Sequence, residues 1–164
     1  MLTFIILVQC AVNAQNTSVK QDVPSIHAVT LTEDSYGAAY PAVILDLDTH
    51  ELIKFDSKET KTEAEFFKGI HVENGFFIEP NDPEFSAINT INEEVSVKLV
   101  VLDQHTTVTL EEAKKMEITS TDIRSFKSGL LFIVKTLDEK FYKFQIISLD
   151  EDKNALKFQY EIIE

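Results

Sequence analysis

"LLFIVKTLDEKFYKFQIISLDEDKNALKFQYEIIE", residues 130–164, is the stretch that decides the fold. Leu156, Phe158, Tyr160 and Ile162 alternate with Lys157, Gln159 and Glu161. That period of two puts one face of a strand on a core and the other in water. Tyr142, Phe144 and Ile146 alternate with Lys143 and Gln145 in the same way, and residues 131–134 are apolar on both faces, as a central strand is. Asp138-Glu139-Lys140 and the polar run from Asp150 to Asn154 separate these segments and read as turns. The spacing predicts a three-stranded antiparallel meander. It contains no His, Cys or Met, so it can support a site but supplies no imidazole or sulfur donor to one.

Upstream the same grammar repeats. In "AVILDLDTHELIKF" (residues 42–55), Val43, Leu45 and Leu47 alternate with Ile44, Asp46 and Asp48, and Asp48-Thr49-His50-Glu51 turns the chain back into a second strand. In "IHVENGFFIEP" (residues 70–80), Asn74-Gly75 between apolar runs is a strong short-range hairpin signal. Pro80 and Pro83 mark a loop. Residues 95–110 read as a strand pair, or as one strand broken near Asp103. Thr109-Leu110-Glu111-Glu112 is a capping box that opens a short helix, "LEEAKKM", and Thr60-Lys61-Thr62-Glu63 is a second one inside a charged loop. Residues 118–129 read as a linker or an edge strand. The expected fold is all-β, an antiparallel sandwich or barrel-like domain of meander hairpins with one short helix and roughly eight to eleven strands.

Composition sets the frame around that fold. The chain of 164 residues is 44% hydrophobic, enough for one well-buried core, and its aromatic content is twelve Phe and four Tyr without Trp. A net charge of −13 repels phosphate backbones and anionic headgroups, which disfavours nucleic acid and membrane-surface partners. Residues 1–14 read as a signal peptide, with an apolar run at 2–8 and small residues before Gln15, although no Lys or Arg precedes the run. The run is too short to be a transmembrane segment. Residues 15–30 read as a flexible lead-in and 31–164 as a single all-β domain. Secretion, extracellular or periplasmic, is the expected localisation. Leu7-Val8-Gln9-Cys10 leaves lipid anchoring to the cell surface through Cys10 as the alternative. Cys10 is the only cysteine, so the processed protein would have no disulfide and no thiolate.

The closing stretch also resembles a known family. Lys135-Thr136, then Phe141-Tyr142-Lys143-Phe144, then Phe158-Gln159-Tyr160 is similar to the C-terminal signature of HmuY-like proteins of Bacteroidetes. The family's earlier strand pair and Asn-Gly turn have counterparts in residues 45–52 and in "GIHVENG" (residues 69–75). Where the family carries a Trp-Asp pair, this chain has Glu65-Phe66-Phe67. The resemblance implies a secreted or lipid-anchored haemophore that holds haem by two axial side chains and passes it to an outer-membrane receptor.

Axial ligation of haem iron needs imidazole or thioether donors. Among His27, His50, His71, His105 and Met116, the pair His71 and His105 is the expected haem-iron ligand set, because each sits at the end of a separate strand segment. The competing account is that both are ordinary exposed strand-end histidines, and that Met116 is a core residue. Asp46, Asp48 and His50 share one strand face by spacing but lack the Gly and distal Glu of a calcium loop, so a solvated polar face is the better account. There is no phosphate loop, nucleophile elbow or H-E-x-x-H, and only four Gly, so the chain is not expected to be an enzyme. Two further readings stay open: a cofactor-free secreted interaction module of the adhesin type, and a lipocalin-like carrier holding a small apolar ligand in a calyx.

Overall fold

The structure, a computed structural model, describes residues 26–36, 42–54, 70–80, 82–91, 97–102 and 107–164. The expected signal peptide with Cys10, the capping box at Thr60 and His105 lie outside these residues. Ten strands are described: β1 (His27–Leu31), β2 (Val43–Asp46), β3 (Leu52–Lys54), β4 (Gly75–Glu79), β5 (Glu84–Ile88), β6 (Lys98–Leu102), β7 (Asp122–Arg124), β8 (Leu131–Lys135), β9 (Phe141–Asp150) and β10 (Ala155–Ile162). One helical turn, α1 (Leu110–Ala113), precedes β7. All ladders are antiparallel, and they form two five-stranded sheets ordered β1-β10-β9-β8-β6 and β3-β2-β4-β5-β7. The fold is the all-β sandwich expected from the alternation.

The inward face of each sheet is the apolar half of its pattern. Phe132, Phe144, Phe158 and Tyr160 from the first sheet meet Phe76, Ile78, Phe85 and Leu45 from the second in one buried cluster. Edge-to-face pairs join the sheets, Phe76 to Phe144 at 5.8 Å and Phe85 to Phe158 at 5.5 Å, while Phe144 stacks on Tyr160 at 4.9 Å. Offset and T-shaped arrangements are those the ring quadrupoles favour. The space that a lipocalin-like calyx would need is therefore filled by aromatic side chains, and that reading is set aside.

The outer faces are partly covered as well. Ala113 of α1 packs on Ile133 and Phe141, with Met116 and Ile118 against them, so Met116 fills a gap in an apolar cluster. The helix starts where its capping box lies: Glu112 N–H donates to Thr109 Oγ1 at 3.3 Å, and Thr109 N–H donates to the Glu112 carboxylate at 2.9 Å. On the second sheet Ile44 and Val72 form a smaller cluster, which is why β2 is buried on both faces.

Two expectations are corrected. β1 begins at His27, inside the stretch expected as lead-in, because His27, Val29 and Leu31 alternate inward and pair in register with Tyr160, Phe158 and Leu156. Asn74-Gly75 is not a hairpin turn. Gly75 opens β4 and pairs with both Asp46 and Ile88, and the hairpin lies after Glu79 instead. Gly75 is not among the positive-φ residues; what it supplies is closeness, because a Cβ there would strike Val72 Cγ1 and lie 2.8 Å from the Leu45 carbonyl oxygen.

Candidate functional site

One end of the sandwich collects the polar groups that the strands set apart in sequence. Asp46, the last residue of β2, is buried, and its carboxylate accepts from Asp48 N–H at 2.8 Å and from the Thr49 hydroxyl at 2.9 Å. This is an Asx turn, in which a side chain replaces a backbone partner. The loop closes when Asp46 N–H donates to the Glu51 carbonyl at 2.9 Å. His50 takes a left-handed backbone, φ 61°, to complete it. That lifts His50 off the strand, so Asp46, Asp48 and His50 do not form the common face that period-two spacing suggested.

Buried Asn74 ties this loop to the other sheet. Its amide Nδ2 donates to the Asp48 carboxylate at 3.2 Å, and its Oδ1 accepts from Leu137 N–H, in the β8–β9 turn, at 3.0 Å. The β8–β9 turn is itself stiffened by the Thr136 hydroxyl on Asp138 at 2.5 Å and by a Lys140–Asp138 ion pair at 2.6 Å. The bonds from Lys140 and Thr136 hold the Asp138 carboxyl below the usual range, and Asp138 raises Lys140 in turn.

His27, His50 and Tyr160 meet over this frame. The two imidazoles stack with centroids 4.0 Å apart and planes 18° from parallel, and His27 stacks on the Tyr160 ring at 4.9 Å. His50 Nδ1 lies 3.0 Å from the Tyr160 hydroxyl. Burial, with help from Tyr142 and Asp46, pushes the Tyr160 hydroxyl up to about 12, so it stays protonated beside His50 Nδ1, and the tautomer of His50 sets which of the two donates. His50 is held below its ordinary value, first by desolvation and then by His27, which together outweigh the Asp46 and Asp48 carboxylates. Sequence spacing groups His50 with Asp46 and Asp48 and places Tyr160 in a core alternation, but it does not bring His27, His50 and Tyr160 together. The signal for His27 was its place in the alternation of "HAVTL".

The stacked pair does not make a haem clamp. Axial imidazoles point a ring nitrogen at the iron from opposite faces of the macrocycle, whereas these two rings lie face to face with centroids 4.0 Å apart. Nor do parallel rings aim their lone pairs at one ion, and among the described residues no group of three His, Cys, Asp or Glu is placed to hold a metal. Of the expected axial pair, His71 is exposed beside buried Val72. Its segment is pinned to Thr90: Val72 N–H donates to Thr90 Oγ1 at 2.9 Å, and Thr90 Oγ1 donates to the Ile70 carbonyl at 2.6 Å. His105 lies outside the described residues.

These features define a two-sheet antiparallel sandwich with a packed interior and a polar, imidazole-bearing end. Compared with protein-family models, with curated proteins and with solved structures, the chain gives no match. Among the described residues no helix is long and apolar enough to cross a membrane.

Proposed function

We propose that the chain is a secreted binding protein of the HmuY-like haemophore type, which takes haem through the imidazoles of His71 and His105 rather than transforming a substrate. The observation that supports this reading is the placement of His71. Its side chain is exposed while the backbone on either side is bonded to Thr90, so a donor is presented on a fixed support. The filled interior also favours a ligand held outside the sandwich, between loops.

Haemin added to the purified protein is expected to give a shifted Soret band with sharp α and β bands, the spectrum of two axial donors. His71→Ala and His105→Ala are each expected to abolish the sharp bands. Neither should move the unfolding midpoint measurably, His71 because it is exposed and His105 because its sequence neighbours are polar. Unchanged bands in both variants would show that the ligands are other residues.

A cofactor-free interaction module is the second reading. It is favoured by apolar side chains left exposed on strands at the sheet edges, Leu52 on β3 and Val101 on β6. Absence of any spectral change with haemin would move the assignment to this reading.

A further inference from the structure

We propose that the His27–His50–Tyr160 corner is a proton-operated latch: neutral imidazoles clasp the first residues of β1 to the β2–β3 loop, and protonation below neutral pH releases that end of the strand. The inference is independent of haem ligation by His71 and His105.

Among the described residues β1 is an edge strand whose only ladder is with β10. It is fastened differently at its two ends. Beyond its last residue, the Tyr36 hydroxyl donates to the Asn154 carbonyl at 2.8 Å, a bond between neutral groups, and burial raises the Tyr36 hydroxyl far above its usual range. At its first residue the fastening is the ring stack of His27 on His50 and Tyr160. Of these two fastenings, only the second is built on imidazoles, the side chains whose charge responds to pH in the physiological range.

Among the described residues, each element near His50 contributes a charge or a polar group. β1 brings His27, β2 brings Asp46, and the loop brings Asp48, whose carboxylate is engaged by Asn74. The β8–β9 turn brings Lys140, already paired with Asp138. β10 brings the Tyr160 hydroxyl, with Tyr142 of β9 packed edge-on against its ring at 6.2 Å. The two carboxylates favour a proton on His50, while burial, His27 and Lys140 oppose it, and the opposing group prevails. A proton on His50 is opposed by His27 across the 4.0 Å stack, so the stack loses its attraction as His50 charges.

The sign follows by linkage. The folded-state value of His50 lies below the unfolded one, so the unfolded or opened form binds protons more readily. The stabilisation is fully present above the ordinary imidazole value of about 6.5 and is lost as the pH falls through and below it. Opening is local, because Tyr36 still holds the far end.

Amide hydrogen exchange, corrected for its intrinsic pH dependence, tests this. Between pH 7.5 and pH 5.5, β1 amides are expected to lose about tenfold in protection while β9 amides keep theirs, the pattern of a local opening. His50→Asn, which tolerates the left-handed backbone, is expected to abolish that difference. Imidazole NMR of the unmodified chain gives the second readout, with His50 protonating below the ordinary value of about 6.5. Equal β1 protection at both pH values, the same acid response in His50→Asn, or protonation of His50 at or above the ordinary value would each overturn the latch.

Discussion

Phe144→Ala is expected to lower stability by about 3–5 kcal/mol, the range for deleting a buried aromatic ring. Phe144 is fully buried at the centre of β9 and touches rings from both sheets: Phe76 and Phe85 on one side, Phe132, Phe158 and Tyr160 on the other. Those neighbours are held on separate strands of two sheets, so they cannot collapse together into the space left behind. The loss then combines the transfer of the ring with a persistent cavity. In a domain of this size it should appear as a fall of about 10 °C in Tm. A fall of only a degree or two would mean that the sheets slide to close the gap, and that the aromatic interlock is looser than its geometry.

Gly75→Ala is expected to cost about 3 kcal/mol, although it adds a single methyl group. That methyl would press on Val72 Cγ1 and sit 2.8 Å from the Leu45 carbonyl oxygen, and neither can give way easily. Val72 is itself fully buried, and Leu45 belongs to β2, which is covered on both faces. β4 must therefore separate from β2 at the point where Asp46 closes the loop that carries His50. The urea midpoint is the direct readout. Gly75→Asn separates this cause from the ordinary reading of an Asn-Gly pair: a turn needing left-handed backbone would accept Asn, whereas a close approach rejects it as firmly as Ala.

Much of this fold can be read locally. The β8–β9–β10 meander follows from alternation with polar turns, and α1 begins at a capping box whose four residues are contiguous. Residues 118–129 were ambiguous between linker and edge strand, and β7 is an edge strand of three residues, too short to carry a period of its own. What sequence hides is pairing at a distance. His27 acquires its meaning from Tyr160, its ladder partner at the other end of the chain. His50 joins them because its backbone turns left-handed, a conformation that few sequence signals announce. Asn74-Gly75 shows the opposite failure, a strong local signal overridden by contacts from Leu45, Asp48 and Leu137. Position at strand ends singles out His71 and His105 in the sequence, whereas the sheets bring together His27 and His50.

On the proposed reading this sandwich, filled inside, takes haem at its surface through iron-ligating imidazoles. Parallel titrations with haemin and with iron-free protoporphyrin test it most directly, since the two ligands share the apolar ring and differ in the metal. Saturable binding of haemin with sharp α and β bands, and much weaker binding of the iron-free ring, is the predicted result. Equal affinity for both, or no binding of haemin, would contradict it.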